Sequence, residues 1–292
     1  MTTPIVLTDP VPVAIRRRAF LPADPLGAAG TLVIVGLILL AILGPVAAPY
    51  PLQGTGTANV HEAMLPPGPG HLLGTDQLGR DVLSRIIVGT RNAIGVSFAV
   101  VGLAIAIGVP LGAIAGYRRG RIDAVIMRAT DLALAFPSLL LAMAIVAALG
   151  PGLEHAAIAL AISWWPWYTR LSRATAASLR ERPFVEAARA IGVSDLRIIF
   201  GHIIPNSLSP IIVQATIDIG TVILAAGSLA FIGLGARAPE ADWGLMVSEG
   251  RTVILDQWWI PTFPGLAIFI AVLAFNLVGD GLRDRFDPRH QR

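Results

Sequence analysis

Long windows without a charged side chain limit this chain to very few folds. Residues 31–50, 92–117, 132–153 and 257–279 contain no Asp, Glu, Lys or Arg. A bilayer core of about 30 Å is crossed by about 20 apolar residues at 1.5 Å each. A further uncharged stretch lies between Glu154 and Arg170, short for a crossing unless its helix runs past Arg170 into the interface. The stretch 198–236 is interrupted only by His202 and Asp218 and contains Pro205 and Pro210. It reads as one span over 208–235, entered through a break. Charged residues are only 14% of the chain and mean hydropathy is +0.70, whereas a soluble surface takes about a quarter charged residues. The expected fold is all-α and integral to the membrane, with six transmembrane helices.

Six spans place both termini on one side, and arginine identifies that side. All 22 basic residues are Arg. Seventeen fall in the N-terminal triplet Arg16-Arg17-Arg18, the loop from Arg118 to Arg128, the loop from Arg170 to Arg197, and the tail from Arg283 to Arg292. The other side has Arg80, Arg85, Arg91, Arg237 and Arg251. The positive-inside rule makes the richer side, and both termini, cytoplasmic. A cytoplasmic segment 1–29 then precedes a first span at 30–50, and an external segment covers 51–91. Val46-Ala47-Ala48 resembles a signal-peptide cleavage site, but the apolar stretch is long and Pro49 would follow the cut, so an uncleaved anchor is expected.

The same composition excludes several chemistries. Without Lys there is no P-loop of the GxxxxGK[ST] kind, and without Cys no disulfide, thiol nucleophile or Cys-based zinc site. His61, His71, His155, His202 and His290 form no HExxH. Gly95-Val96-Ser97-Phe98-Ala99 approaches GxSxG but lies in an apolar span and lacks the last Gly. The high pI does not point to nucleic acid, because the arginines alternate with spans instead of forming one patch. Trp258 and Trp259 open the last span, and Trp164, Trp165, Trp167 and Tyr168 crowd the fourth, as an interfacial belt does. Pro166 is placed to bend that helix.

Within the external segment, 54–70 is Gly- and Pro-rich loop. From Thr75, Leu78, Val82 and Ile86 recur every four residues, with Asp76/Arg80 and Asp81/Arg85 at i,i+4. This predicts an amphipathic helix on the outer interface, N-capped by Thr75 or Asp76. A second external loop, 236–258, carries Pro239, Glu240, Asp242 and Trp243.

The loop 171–205 is hydrophilic yet patterned. Phe184, Ala187, Ala188 and Ile191 fall on one face of a helix, which Gly192 ends. Ser194 or Asp195 caps a second helix carrying Leu196, Ile199 and Ile203 and ending at Pro205. A small-residue helix–turn–helix held under the membrane suits a groove on another protein.

Glu186-Ala187-Ala188, followed by Gly192 and Pro205, resembles the EAA loop of permease subunits of bacterial ATP-binding-cassette importers. His71-Leu72-Leu73-Gly74-Thr75-Asp76-Gln77-Leu78-Gly79-Arg80-Asp81 resembles the external motif of the dipeptide/oligopeptide/nickel permeases. So do Asp131 with Ala135-Phe136-Pro137, and Leu229 to Gly235 running on to Trp243-Gly244. The tail from Asn276 to Asp284, with Asp287-Pro288-Arg289, is similar to the C-type subunit of that group. The resemblance covers about residues 30–290. Two positions depart from it: Ala226 stands where many members have an acid, and Ala230 where they have Ser.

The resemblance implies a type I importer permease fold, with residues 92–285 as the permease core and 286–292 as a cytoplasmic tail, in the bacterial plasma membrane. It implies a B-type permease partner, two ATPase subunits that bind ATP and Mg, and an external substrate-binding protein. This chain itself is then no enzyme and holds no cofactor. Glu186 is expected to pair with a basic residue of the ATPase, Ala187 and Ala188 to allow close approach, and Gly192 to let the loop turn. The implied cargo is peptide, with nickel chelates or glutathione-like molecules as alternatives. A stand-alone secondary transporter would require an internal repeat with broken helices in both halves, and the sequence has none. Asp218, halfway along the fifth span, is costly unless it faces water or a partner. It is therefore a candidate for the pore or a helix interface, with Thr216 and Thr221 near it in sequence.

Overall fold

The computed structural model describes residues 25–286; Arg16, Arg17, Arg18, Arg289, Arg292 and the motif Asp287-Pro288-Arg289 lie outside it. The described residues are largely helical, with no strand beyond a single bridge between Thr75 and Asp81. In chain order the helices are α1 (Pro25–Ala47), α2 (Pro51–Gly54), α3 (Val82–Arg118), α4 (Gly120–Leu134), α5 (Ser138–Leu149) and α6 (Leu153–Leu179). There follow α7 (Pro183–Ala190), α8 (Asp195–Ile198), α9 (Ile204–Asn206), α10 (Leu208–Phe231), α11 (Trp243–Gly250) and α12 (Trp259–Phe286).

Four of them, α1, α3, α10 and α12, are each long and apolar enough to cross a bilayer. The window 132–153 does not form one straight helix. It breaks at Ala135-Phe136-Pro137, and α4 meets α5 at 83°. Proline explains the break: Pro137 lacks the N–H that would continue α4 and sits with an extended ψ of 127° before α5. Helix α6 does run past Arg170, to Leu179.

Glycine contacts give the directions. A β-carbon on Gly108, Gly112 or Gly116 would lie within 3.0 Å of the backbone oxygen of Trp165, Thr169 or Arg173, respectively. Both series advance by four, so α3 and α6 run parallel along a small-xxx-small seam, where close backbone approach and dispersion hold helices together in lipid. Parallel α3 and α6 force the chain between them to return across the layer, and α5 is that return. Gly220 meets Val272 and Phe275, and Gly279 meets Ile217, so α10 and α12 run antiparallel. Gly30 of α1 packs on Ala274, Leu277 and Val278 near the end of α12, while Gly44 packs on Ile87 at the start of α3. The start of α1 and the end of α12 therefore share one end of the bundle, and α1, α3, α5, α6, α10 and α12 cross it alternately. That end also holds α4 and α7–α9, with most of the described arginines. We call it the basic end and the opposite one the capped end.

The capped end corrects the expected external helix. Residues 75–81 are a turn, and α3 begins only at Val82. Its N-cap is Asp81, whose Oδ2 accepts from Ser84 N at 2.7 Å, not Thr75 or Asp76. Gly74 (φ +76°) and Gly79 (φ +70°) hold the left-handed conformations that make the turn. The Asp76–Arg80 pair exists at 2.7 Å, but Arg85 pairs with Asp76 (2.7 Å) and Glu249 (2.9 Å), not with Asp81. Arg80 also reaches Glu249 at 3.1 Å. These groups are buried, apart from a partly accessible Glu249, so the segment is a plug and not an interfacial helix. Removing one partner of such a cluster costs about 3–5 kcal/mol, because the remaining charge is left buried and unpaired. Trp259 Nε1 donates to Thr75 O, Trp243 Nε1 to Ile86 O and Asn92 Nδ2 to Ala241 O, fastening 236–259 to the plug and to the start of α3.

Candidate functional site

At the basic end the segment after α6 packs as a small core of its own. Pro183 occupies the first turn of α7, where no intrahelical N–H is needed. Val185 and Ala188 point inward and meet Tyr117 and Ala113 of α3, Ala176 of α6, and Ile198, Ile199 and Ile203. Gly192 carries φ +81°, the left-handed turn at which α7 ends. The chain then stays helical through Pro205, which does not end the second helix. Ile199–Ile203 form one π-helical turn, in which Ile204 N donates to Ile199 O; α9 follows, and a turn at Ser207 leads into α10. The wider turn accommodates the missing N–H of Pro205.

The expected face of α7 is split. Ala188 turns inward, one helical step from Val185, while Phe184, Ala187 and Ile191 stay outward. Leu196 and Phe200 extend that apolar surface. Ile191 is 81% exposed, Leu196 59% and Phe200 52%. Glu186 is exposed beside them and has no ion-pair partner among the described residues. Exposed apolar side chains beside an unpaired carboxylate on a braced helix suit a protein contact.

The bracing comes from the last turn of α3. Tyr117 Oη donates to Asp195 Oδ1 (3.2 Å), Arg118 reaches Asp195 Oδ2 (3.3 Å), Arg119 pairs with Glu181 (3.0 Å), and the Arg189 guanidinium lies 5.4 Å over the Tyr117 ring. Tyr117 was not singled out from the sequence, although an aromatic residue followed by two arginines at the close of an apolar window marks an interface anchor. Glu249 was missed too. Two arginines on the arginine-poor side, Arg80 and Arg85, were the signal that carboxylates must lie near.

Asp218 lies buried between α10 and α6, against Tyr168 and Trp164. Gln214 Nε2 donates to its Oδ1 at 3.0 Å, while its Oδ2 and the Tyr168 hydroxyl have no hydrogen-bond partner among the described residues. Asp218 is thus enclosed within this chain by side chains of α6 and α10. Thr216 and Thr221 are not brought to it; each bonds a carbonyl of its own helix, Ile212 O and Ile217 O. Asp131 pairs with Arg170 at 2.7 Å. Ser97 bonds Ile94 O inside α3 and is hydrogen-bonded to no base among the described residues. Ala226 lines a small cavity with Asn92, Asp242 and Trp243, so an acid at 226 would stand near the buried Asp242; Ala230 is buried beneath Gly235.

Comparison with known proteins agrees with this architecture. Residues 108–292 match the family described as binding-protein-dependent transport system inner membrane component. The chain is 45% identical over 269 residues to the probable D,D-dipeptide transport system permease protein DdpC of Escherichia coli, covering 92% of this chain and 89% of that one. It is 47% identical over 275 residues to the dipeptide transport system permease protein DppC of Alkalihalophilus pseudofirmus, covering 94% and 90%. The glutathione transport system permease protein GsiD of Pectobacterium atrosepticum is 44% identical, covering 76% and 74%. An inward-facing structure of the MetNI methionine ABC transporter superposes with a TM-score of 0.57 at 17% identity, covering 70% of this chain and 97% of that one. The crossing order, the braced loop of the basic end and these matches together place the chain in the family of binding-protein-dependent transport system inner membrane components.

Proposed function

We propose that this chain is the C-type permease subunit of an ATP-driven bacterial peptide importer, set in the plasma membrane with its basic end in the cytoplasm. The observation that carries this reading is the outward surface of Phe184, Ala187, Ile191, Leu196 and Phe200 with Glu186, at the end where the arginines gather. An ATPase subunit seats there, and Glu186 meets one of its cations. Ala187 admits close approach; Ala188 instead packs the loop onto α3, and Gly192 and Pro205 set its turns. Two ATPase subunits bind and hydrolyse ATP with Mg, one on this loop and one on the matching loop of a B-type permease. Movement of the loop is passed to α3 through Tyr117 and to α10 through the π-turn, and the pathway between the two permeases opens alternately to each side. An external binding protein delivers cargo at the capped end.

Two relatives named for dipeptides, at 45% and 47% identity over most of both chains, support a peptide cargo over nickel chelates. The test is ATP-dependent uptake in proteoliposomes that hold this chain, its partner permease, its ATPases and its binding protein. Uptake of labelled dipeptide, competed by unlabelled dipeptide and not by a nickel chelate, is expected. Chelate uptake with no peptide uptake would contradict the cargo, and uptake by this chain alone without ATPase would contradict the mechanism.

A further inference from the structure

We propose that α4 is a lipid-binding helix, lying flat in the headgroup layer at the basic end and held there by anionic phospholipid. The placement rests on the membrane sidedness given above. Three observations carry it. First, α4 lies at 83° to α5. Since α5 crosses the layer beside α6, α4 runs along the membrane plane.

Second, ion pairs fix the roll of α4 about its axis. Arg173 grips Asp123 with two bonds, Nε at 2.6 Å and Nη2 at 2.7 Å, and Arg170 reaches Asp131 at 2.7 Å. Thr130, on the face turned to the bundle, is buried. The opposite face carries Ile122, Val125, Ala129 and Leu132, spaced i, i+3, i+7 and i+10, and Phe136 continues the stripe into the bend. Val125 and Leu132 are each 70% exposed. A stripe of this kind on a helix in the membrane plane is the form of an interfacial helix, its apolar side in the acyl boundary.

Third, the charge beside the stripe selects the occupant. Arg121 stands one turn before Val125, and Arg128 one turn before Leu132. Both are exposed, and neither has an ion-pair partner among the described residues, unlike Arg118, Arg119, Arg170 and Arg173, which all pair with acids. A protein covering this face would have to supply two acids around an apolar strip. A leaflet of anionic lipid supplies phosphates in a row above hydrocarbon.

This chain has no Cys, so Val125→Cys and Leu132→Cys each give it a single labelling site, used with partner subunits freed of Cys. The assembled importer, labelled with a nitroxide, is placed in phosphatidylcholine nanodiscs with or without phosphatidylglycerol. Strong relaxation by oxygen with weak relaxation by a water-soluble nickel chelate is expected. Strong relaxation by the chelate would mean water contact, and weak relaxation by both would mean a covering protein subunit; either overturns the proposal. A fluorophore at the same sites should be quenched more by brominated phosphatidylglycerol than by brominated phosphatidylcholine, up to about fivefold per arginine. Arg121→Gln/Arg128→Gln should bring the two lipids to equality. Equal quenching with both arginines present would overturn the anionic-lipid assignment. Failure of peptide uptake in the same discs bears on the cargo and leaves these readouts unchanged.

Discussion

Tyr117 and Asp195, 78 residues apart, share a hydrogen bond of 3.2 Å that joins the last turn of a membrane-crossing helix to the loop on which a partner is proposed to seat. Arg118 holds the other oxygen of the same carboxylate. The loop is therefore held to the end of α3 through both oxygens of one carboxylate. Tyr117→Phe removes one hydrogen bond and leaves the ring under Arg189 in place. A loss of about 1 kcal/mol of local stability is expected. Hydrogen exchange over 185–200 should quicken roughly fivefold with the global melting temperature nearly unchanged, and unchanged exchange would show that Tyr117 does not brace the loop.

The plug at the capped end turns on Glu249, the most accessible member of a cluster otherwise sealed from water. Glu249→Gln leaves Arg80 and Arg85 sharing Asp76 alone. Thermal unfolding in detergent should show a loss of about 3–5 kcal/mol. Adding Arg80→Met should restore part of it, since one buried cation is then gone. A double variant no better than the single would show that the arginines are not coupled through Glu249.

Asp242 caps α11 by accepting from Leu245 N at 2.9 Å, and burial pushes its carboxyl above the usual carboxylate range. A raised pKa in the fold means that the native state holds the proton more tightly than the unfolded chain. The contribution is most favourable below the unfolded value of about 3.9 and is lost as pH rises through the folded value. Asp242→Asn keeps the cap acceptor and removes the titration. The stability of the variant relative to the parent should therefore rise with pH from acid to neutral, whereas Asp242→Ala should lose about 1 kcal/mol of capping. A parent–Asn difference independent of pH would contradict the burial argument.

Gly112 has no room for a side chain against α6, whereas Gly102 faces open space. Gly112→Leu should force α3 and α6 apart and cost at least about 1–3 kcal/mol of overpacking, visible as loss of monodisperse protein in detergent. Gly102→Leu should leave the folded monomer intact. Equal behaviour of the two would refute the parallel seam from which the crossing order was derived.

The spans were legible because a bilayer imposes length and neutrality on whatever crosses it, and windows such as 92–117 display both. The break at Ala135-Phe136-Pro137 was hidden because it carries no charge. The turn 75–81 was misread because acids and bases at i,i+4 imitate a helix, while the evidence against one lay in Gly74 and Gly79, whose left-handed conformations do not show in hydrophobic spacing. In the loop, the end of α7 is legible in Gly192, whose φ of +81° is one that glycine adopts freely. Ala188 was placed on the wrong face because alanine carries little information about which side is buried. Val185 was the residue that decided it. The burial of Asp218 against Tyr168 brings together two helices and has no local signature.

The Phe184–Phe200 surface is proposed as the seat of an ATPase. A photoactivatable cross-linker on Ile191→Cys, in the assembled importer, tests it most directly. Cross-links from residue 191 to an ATPase subunit, weakened by Glu186→Arg, are the predicted result. Cross-links to lipid or to the second permease alone, with ATP-driven uptake intact, would contradict it.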